Sequence, residues 1–495
     1  MGVFTVLDMI RSADEELTLL GTRSGGMSAK ELHRAALGGA TILRESCARS
    51  VVFIGGHGAE FVISMFAAAA AGLPFTPMNY RLSAGQLREL IGQLDEPVVL
   101  LDHSSSHVVE GSGFRTLPSE DWVAKAAAAP AWSADAARDD DPAVVLFTSG
   151  TTSTPKRAVL RHNNLLSYVI QTVEFASADP DDAFLVTVPP YHVAGVGTVL
   201  TNIFAGRRIV VLPNFSAAAW LDLARRERIT NAMVVPTMLA RIVEELAGRP
   251  AEVSTLRSIA YGGARTPLPV LEGALRAFGE IDFVNAYGLT ETSSTIALLG
   301  PQDHRSALTS SDPAVRARLG SAGQVVPSVE AQVRGPEGEI LVPGDVGELW
   351  VRGSQISGEY VGSGSGVDDE GWFDTRDSAY FDDGGYLFIV GRTDDTIIKG
   401  GENIAPAEIE DVLARHPGIK DAAVVGQPDE LWGARIVAVV VARDDAGLTD
   451  ETVKSWVREH LRGSRTPDEV HFRQELPYTP TGKLLRRQLL TLGDR

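Results

Sequence analysis

The clearest structural signal in this sequence is Ser50-Val51-Val52-Phe53-Ile54-Gly55-Gly56, a continuous apolar run that ends in two glycines. Such a run predicts a buried β-strand followed by a tight turn. Residues 60–71 then repeat their apolar side chains with a helical period, and Pro74 begins the next segment. Similar strands are predicted, between helical patterns, at residues 98–101, 144–147, 184–188, 209–212, 232–235, 258–261 and 283–287. Continuous Val and Ile runs separated by helices predict an α/β fold with parallel sheets covered on both faces.

The pattern changes after about residue 320, where short strand candidates with Gly and Pro turns replace the long alternation. Residues 330–334, 338–341 and 347–352 therefore predict a small β-rich subdomain that extends to residue 393. A compact α+β unit follows, with a predicted helix at residues 406–415 and strands at 421–425 and 436–441. We place the domain boundary at Asp394, which divides the chain into residues 1–393 and 394–495.

Composition excludes several classes of protein. The net charge of −19 over 495 residues argues against nucleic-acid binding, which needs a basic face. The longest apolar run, residues 61–75, is shorter than the roughly 20 residues of a membrane span, so it predicts a buried helix. The start of the sequence has no basic segment of the kind that opens a signal peptide. We expect a cytoplasmic protein whose single cysteine, Cys47, lies in the core.

A loop rich in glycine and hydroxyl groups follows the predicted strand at residues 144–147. It reads Thr148-Ser149-Gly150-Thr151-Thr152-Ser153-Thr154-Pro155-Lys156. Consecutive small residues let backbone N–H groups and hydroxyls converge on phosphate oxygens, and Lys156 adds a positive charge. The loop is not a Walker A motif, because the Gly-Lys-Ser/Thr ending and its spacing are missing. It nevertheless predicts binding of an anionic phosphate.

A second motif that suits an anion lies more than 300 residues further on. It reads Leu476-Pro477-Tyr478-Thr479-Pro480-Thr481-Gly482-Lys483-Leu484-Leu485-Arg486-Arg487, in which Thr481 and Gly482 predict a turn that projects Lys483. Together with residues 148–156, this motif resembles the two signature ends of the adenylate-forming superfamily. That superfamily includes acyl- and aryl-CoA ligases, luciferases and the adenylation domains of peptide synthetases. The resemblance covers nearly the whole chain, because further motifs fall between these two in the family's order.

The resemblance implies a large N-terminal domain of layered αβ sheets with a β-rich subdomain, joined to a mobile C-terminal lid. Asp394 matches the hinge about which the lid turns. The implied first reaction converts a carboxylic acid and Mg·ATP to an acyl-adenylate and pyrophosphate. In that reaction Lys483 bridges the acid and the α-phosphate, and Glu291 helps to hold Mg²⁺. The residues expected to be catalytic are Lys483, His192, Glu291 and Thr290.

Nucleotide contacts are implied after successive strands. Tyr287 is expected to stack on adenine, the Thr290 hydroxyl to reach a phosphate, and Asp377 to accept hydrogen bonds from the ribose. The complete expected ATP-binding set is Thr148, Ser149, Gly150, Thr151, Thr152, Lys156, Gly262, Gly263, Ala264, Asn285, Ala286, Tyr287, Gly288, Thr290, Asp377, Arg392 and Lys483.

The segment Pro189-Pro190-Tyr191-His192-Val193-Ala194-Gly195 resembles the part of the family that lines the pocket for the acid. An aromatic ring and an imidazole there supply an apolar wall and a polar lip, and Gly262 completes the expected pocket. Relatives that activate amino acids typically carry a carboxylate in this segment, and this sequence has none. We therefore expect an aromatic or medium-sized apolar acid. Gly400 and Gly401 are expected to border the tunnel for the second nucleophile.

The acceptor of the acyl group is left open by the sequence. Transfer to coenzyme A is the first prediction; transfer to an amine, as in amide bond synthetases acting on β-carboline carboxylates, or to a carrier protein are the alternatives. A catalytically decayed nucleotide-binding protein would lack Lys483, Glu291 or Asp377, and all three are present. Ser153, Arg157 and Arg376 stand where glycine is common in the family, which indicates a specialised member. The sequence does not predict an oligomeric state.

Overall fold

The computed structural model describes residues 2–118, 121–133, 138–148, 155–429, 431–444, 446–479 and 482–490. Its helices are α1 (Phe4–Ala13), α2 (Ala29–Glu45), α3 (Ala59–Ala71), α4 (Ala84–Ile91), α5 (Trp122–Ala128), α6 (His162–Thr172), α7 (Val193–Ala205), α8 (Ala217–Arg226), α9 (Pro236–Leu246), α10 (Leu268–Phe278), α11 (Pro301–Thr309), α12 (Pro313–Ala317), α13 (Pro406–Ala414), α14 (Asp450–His460) and α15 (Arg486–Leu490). Its strands are β1 (Thr18–Thr22), β2 (Gly25–Ser28), β3 (Ser50–Ile54), β4 (Phe75–Met78), β5 (Pro97–Leu101), β6 (Arg115–Pro118), β7 (Pro142–Thr148), β8 (Lys156–Arg161), β9 (Ala183–Val186), β10 (Arg208–Val211), β11 (Asn231–Val234), β12 (Ser258–Gly262), β13 (Asp282–Leu289), β14 (Ser294–Leu299), β15 (Gln324–Val325), β16 (Glu330–Arg334), β17 (Gly347–Arg352), β18 (Glu359–Tyr360), β19 (Gly364–Ser365), β20 (Phe373–Phe381), β21 (Leu387–Arg392), β22 (Ile397–Lys399), β23 (Glu402–Ile404), β24 (Ile419–Asp429), β25 (Gly433–Ala442) and β26 (Glu469–Arg473).

Two large sheets dominate the N-terminal part of the fold. One has the strand order β15-β14-β13-β12-β11-β9-β10-β1-β2, and the other has the order β19-β18-β8-β7-β4-β3-β5-β6. Their central strands pair in parallel, as predicted, for example β11 with β12 and β3 with β4. Antiparallel pairs close the sheets, at β1–β2, β13–β14 and β7–β8. The predicted α/β fold of layered sheets is thus confirmed, with mixed rather than purely parallel sheets.

Residues 61–71 of the apolar run at residues 61–75 form the predicted buried helix, and Phe75 at the end of the run begins β4. Side chains of α2, α3 and α7 share one hydrophobic core with Val51 of one large sheet and Ile209 of the other. These helices therefore form a layer between the sheets. Helix α3 ends at Ala71 and is capped by Gly72, whose φ of +63° favours glycine. Among the described residues, no helix has both the length and the apolar character that crossing a membrane requires.

The β-rich segment forms an antiparallel sheet of order β16-β17-β20-β21. The prediction of a strand at residues 338–341 is wrong. The chain turns there, because the N–H of Gly338 donates to the Gly335 carbonyl and Gly338 has a φ of +82°. Only an isolated bridge joins Ile340 to Arg334, and Ile340 is 64% exposed. Of this segment only Leu341 packs partly against the core of the β-rich sheet, and one half-buried side chain does not supply the buried face that stabilises a strand.

The last part of the chain packs α13 and α14 against a sheet of order β24-β25-β26. Helix α13 ends at Ala414, one residue before the predicted end. Among the described residues, two ion pairs join this unit to the N-terminal part: Arg265 with Asp411, and Lys420 with Glu244 at 3.7 Å. The boundary at residue 394 remains a prediction.

The prediction of a core position for Cys47 is wrong. Helix α2 ends at Glu45, so Cys47 lies in the following turn, with a φ of +54° and an exposed thiol. The Ala- and Leu-rich pattern around it belongs to the helix and does not extend through the turn.

Stability is expected to fall in mild acid through His162, which is 1% exposed. Its Nδ1 accepts a hydrogen bond from the Val3 N–H at 3.1 Å, and burial lowers its pKa to about 4. Between pH 6.5 and about 4 the unfolded chain therefore binds a proton that the folded chain does not. As the pH falls through this range, the free energy of unfolding decreases by up to about 3 kcal/mol. Urea unfolding from pH 7 to 4.5 should show a shallower decline for His162→Gln, and identical declines would contradict this.

Candidate active site

Several of the sequence motifs meet at the carboxyl ends of parallel strands. Strands β12 and β13 pair in parallel with Gly262 opposite Ala286, and residues 189–195 follow β9 in the same sheet. In open α/β sheets, ligands bind outside the carboxyl ends of the strands. The sheet therefore brings the predicted ATP-binding residues at the ends of β12 and β13 and the predicted acid pocket to the same end of the fold.

The ledge formed by the ends of β12 and β13 requires glycine. A Cβ atom on Gly262 would lie 2.2 Å from the Ala286 carbonyl oxygen, and one on Gly288 would lie 1.8 Å from the Ser294 carbonyl oxygen. Gly263 has a φ of +84°, which also favours glycine. Close backbone pairing thus leaves a surface of bare peptide groups, onto which a flat base fits.

A charged cluster joins the end of β13 to the β-rich sheet. The buried carboxylate of Asp377 accepts a hydrogen bond from the Tyr287 hydroxyl at 2.5 Å and lies 3.3 Å from the Arg392 guanidinium. Asp377 in β20 is directly opposite Arg392 in β21, so the strand register fixes this pair. Burial raises the pKa of Asp377, and Arg392 partly offsets that shift. Asp377 therefore contacts two other residues expected at the nucleotide, Tyr287 and Arg392.

A second cluster surrounds Glu291, in the short turn Thr290–Thr292 that follows β13. Its Oε1 accepts a hydrogen bond from the Tyr360 hydroxyl at 2.6 Å, and the Lys156 Nζ lies 5.1 Å from the centroid of the Tyr360 ring. Burial and the Glu291 charge raise the pKa of Tyr360 well above its ordinary value. The Glu291 carbonyl accepts from the N–H of Ser357 at 2.8 Å, which holds the turn in place.

Sequence reasoning missed Tyr360. The residue reaches Glu291 because β18 pairs with β8, with Tyr360 opposite Ala158. That pairing joins segments about 200 residues apart, and no local pattern in the sequence indicates it.

Lys483 reaches the site from the C-terminal unit. Its backbone N–H donates to the Thr479 Oγ1 at 2.9 Å, and its carbonyl accepts from the Thr479 N–H at 2.8 Å, which closes a tight turn. Gly482 in that turn has a φ of +73°, and a Cβ there would lie 2.8 Å from Thr237 Oγ1 at the start of α9. The Lys483 charge lowers the pKa of His192, after burial, and also acts on Asp377. The ammonium is therefore close enough to influence both the acid pocket and the charged cluster at Asp377.

The predicted acid pocket carries an aromatic wall. Tyr191 is 6% exposed. Its ring centroid lies 5.6 Å from that of Tyr80 and 4.7 Å from that of His192. Burial raises the pKa of the Tyr191 hydroxyl to about 12 and lowers the pKa of the His192 imidazole to about 4. Both side chains are thus neutral near pH 7. Val193 begins helix α7 directly behind them.

His57, which sequence reasoning also missed, packs beneath this wall. Its Nε2 lies 3.2 Å from the position that a Cβ on Gly195 would occupy, and its ring meets Phe61 edge-on at 4.9 Å. Burial lowers the pKa of His57 to about 4. Only its place directly after the predicted strand at residues 50–54 could have drawn attention to it.

Several predicted site residues have other placements. Ser149, Gly150, Thr151 and Thr152 lie outside the described residues, while the Thr148 Oγ1 donates to the Lys156 carbonyl at 3.4 Å. Arg157 points away from the nucleotide residues and donates to the Gln93 carbonyl at 2.5 Å. Asn285 donates to the Ser321 carbonyl at 2.9 Å.

The predicted hinge and tunnel residues lie in turns of the C-terminal unit. Asp394 is in the turn Thr393–Asp395, which directly follows β21. Gly400 and Gly401 connect β22 and β23, and the Gly400 N–H donates to the Trp432 carbonyl at 2.8 Å.

Family profiles match most of the sequence. The profile of the AMP-binding enzymes covers residues 15–361, and that of the AMP-binding enzyme C-terminal domain covers residues 408–483. A feruloyl-CoA synthase from an Amycolatopsis species is 32% identical over 454 residues, which span 89% of this chain and 88% of that protein.

Solved structures share the complete fold. O-succinylbenzoate coenzyme A synthetase (MenE) from Bacillus subtilis, in complex with ATP and magnesium ion, has a TM-score of 0.84 at 26% identity, over 98% of each chain. The amide bond synthetase McbA from Marinactinospora thermotolerans has a TM-score of 0.87 at 25% identity, over 99% of this chain and 100% of that one.

Proposed function

This chain belongs to the family of AMP-binding enzymes, and we propose that it is an ATP-dependent ligase that activates a carboxylic acid. In the first step a carboxylate oxygen attacks the α-phosphorus of Mg·ATP, an acyl-adenylate forms, and pyrophosphate leaves. In the second step the thiol of coenzyme A attacks the acyl carbon, a thioester forms, and AMP leaves.

The position of Lys483 carries this proposal. Its ammonium acts electrostatically both on His192 in the acid pocket and on Asp377 in the charged cluster, and its turn lies against Thr237 at the start of α9. A fixed cation there stabilises the negative charge that the carboxylate and the α-phosphate bring together. Holding both groups in line also removes the entropy cost of their encounter.

Other residues bind the remaining parts of the nucleotide. Asp377 and Arg392 bind the ribose, and Lys156 binds the phosphates. The bare backbone at residues 262–264 and the Tyr287 ring contact the base. Within the described residues no three His, Cys, Asp or Glu side chains cluster as metal ligands. Magnesium, however, is commonly held by one or two carboxylates together with the phosphates of its substrate. Glu291 fits that arrangement, and Mg²⁺ so held would neutralise charge on the leaving pyrophosphate.

The acid is proposed to be aromatic or medium-sized and apolar. The rings of Tyr80 and Tyr191 form a wall against which a flat apolar group packs. His192 is neutral above about pH 5, and it therefore offers a hydrogen bond without a competing charge. A relative named feruloyl-CoA synthase supports an aryl acid.

For the second step we propose rotation of residues 394–495 about Asp394, which brings Gly400 and Gly401 to the site in place of Lys483. Both glycines have positive φ, at +58° and +82°, and offer bare backbone for the close approach of a thiol carrier. Coenzyme A is the proposed acceptor because the name of the feruloyl-CoA synthase implies it. The similarity to the amide bond synthetase McbA supports an amine as the second candidate.

Mass spectrometry on reactions with ATP and Mg²⁺ tests the proposal. A panel of aryl and aliphatic acids is incubated with coenzyme A, with a simple amine, or with neither. A thioester that forms only with coenzyme A supports the first candidate. Amide that forms faster than it does from free adenylate, with coenzyme A inert, supports the second. ATP binding without pyrophosphate release for any acid would refute both and indicate a nucleotide-binding protein.

A further inference from the structure

The junction between residues 394–495 and the rest of the chain is polar. Among the residues that the structure describes, each hydrophobic cluster contains side chains from one side of residue 394 and none from the other. The contacts that cross the junction include the ion pairs of Arg265 with Asp411 and of Lys420 with Glu244. Domains that share no hydrophobic core move readily relative to each other, so single ion pairs at their junction influence which orientation they take.

Of these two ion pairs, that of Arg265 with Asp411 is the closer and the less exposed. The Arg265 guanidinium donates a hydrogen bond to the Asp411 carboxylate, and the two side chains are 44% and 35% exposed. Lys420 and Glu244 are 3.7 Å apart and more exposed, so water screens their attraction more strongly. Arg265 directly follows residues 262–264, whose backbone is proposed to contact the base. The closer pair therefore joins the edge of the candidate site to helix α13.

Helix α13 also holds the segment that carries Lys483. Glu410, in the same helix as Asp411, accepts hydrogen bonds from two guanidinium nitrogens of Arg486, at 2.5 and 2.9 Å. Arg486 lies three residues after Lys483, and its Nε is 3.5 Å from the carboxylate of Asp395 in the turn that contains the proposed hinge. A continuous chain of contacts thus runs from the edge of the candidate site, through α13, to the segment of Lys483 and to the hinge turn.

We propose that Asp411 is a positioning residue that acts through α13. Its ion pair with Arg265 holds the C-terminal unit in the orientation that presents Lys483 to the acid and the α-phosphate. The inference rests on the proposed function. The proposed rotation about Asp394 moves α13 relative to Arg265, so the ion pair has to break before the second step. The pair therefore favours adenylate formation and opposes acyl transfer.

Asp411→Asn removes the charge and keeps the size of the side chain. Pyrophosphate release should fall about two- to fivefold, which is the range that a partly exposed ion pair supports. Transfer from a chemically prepared acyl-adenylate to coenzyme A should rise by up to about the same factor, because the orientation that this step needs is no longer opposed. A substitution that only weakened the fold would slow both steps. Exchange of the two charges, by Arg265→Asp together with Asp411→Arg, should restore both rates to within about twofold of the wild type.

The orientation of the C-terminal unit can also be measured without any substrate. Cys47, the single cysteine, is exposed and accepts a spin label, and Glu459→Cys places a second label at an exposed position of α14. Pulsed electron paramagnetic resonance then gives the distribution of distances between the two labels. Arg265→Asp sets two carboxylates against each other and should increase the population of a second distance by at least about threefold. The exchanged pair should return the distribution to that of the labelled parent protein.

Asp450→Asn is the matched control. It makes the same chemical change in the same unit, at a carboxylate whose partner Lys454 lies within α14 at 2.9 Å, and it should alter neither the rates nor the distances. An unchanged distance distribution in Arg265→Asp would overturn the inference, and so would equal losses in both steps for Asp411→Asn. Because the distance measurement needs neither acid nor nucleotide, a wild type that releases no pyrophosphate for any acid refutes the proposed function and leaves this test intact.

Discussion

Lys483→Ala is expected to reduce acid-dependent pyrophosphate release by at least about a hundredfold. The Lys483 charge acts on both His192 and Asp377, and the turn that carries Lys483 brings Gly482 close to Thr237. Charge develops at the α-phosphorus as the carboxylate attacks, and the loss of one preorganised donor at such a centre typically costs about 3–4 kcal/mol. Pyrophosphate release at saturating acid and ATP is the measurement.

The two steps of the reaction give this variant an internal control. Transfer from a chemically prepared acyl-adenylate to coenzyme A does not involve Lys483, so its rate should stay within about threefold of the wild type. Lys454→Ala is the matched control, since Lys454 is half-buried and pairs with Asp450 within α14, away from the site. An ion pair between residues four apart on one helix contributes little, so both steps should be unaffected. Pyrophosphate release at the wild-type rate in Lys483→Ala would refute the assignment.

Local patterns predicted the elements of the fold but not how distant segments pair. The apolar runs at residues 50–54 and 258–261 became β3 and β12, and the helical pattern at residues 60–71 became α3. A run of Val and Ile forms a strand because its side chains are buried on both faces of a sheet, and this holds for whichever sheet it joins. The turn at residues 335–341 was misread because a glycine- and proline-flanked apolar pair looks like a strand until its exposure is known.

In the candidate site, too, sequence motifs predicted individual residues but not the contacts between distant segments. Ordered motifs pointed to Asp377, Glu291 and Lys483 through a family resemblance, and the charges of Glu291 and Lys483 both act on the Asp377 carboxyl group. Tyr360 and His57 were missed because each reaches the site through a contact that no local pattern reveals, β18 against β8 for Tyr360 and Gly195 against the ring for His57. The conformation of Arg376 could not be predicted either. A positive φ at arginine contradicts local preference and arises from hydrogen bonds of its neighbours Asp374 and Thr375.

The second variant with a large expected effect on the rate changes Glu291, which accepts a hydrogen bond from Tyr360. Glu291→Gln is expected to reduce pyrophosphate release about a hundredfold and to raise the Mg²⁺ concentration needed for half-maximal rate, because a neutral amide is a poorer ligand for a hard cation. The amide oxygen can still accept from the Tyr360 hydroxyl, so the turn Thr290–Thr292 should keep its shape. The measurement is the initial rate of pyrophosphate release across a series of Mg²⁺ concentrations at fixed ATP.

Two further variants distinguish the effect of the Glu291 charge from the effects of its hydrogen bond and of its neighbouring residues. Tyr360→Phe removes one hydrogen bond from the carboxylate and should lower the rate by less than about tenfold, with the Mg²⁺ dependence unchanged. Glu359→Gln makes the same chemical change one residue before Tyr360, at a carboxylate whose partner is Arg161 at 2.7 Å, and should leave the Mg²⁺ dependence as in the wild type. If Glu291→Gln has the Mg²⁺ dependence of the wild type, Glu291 does not hold the cation. A loss of rate in that variant would then have to come from the turn, and Tyr360→Phe should reproduce it in full.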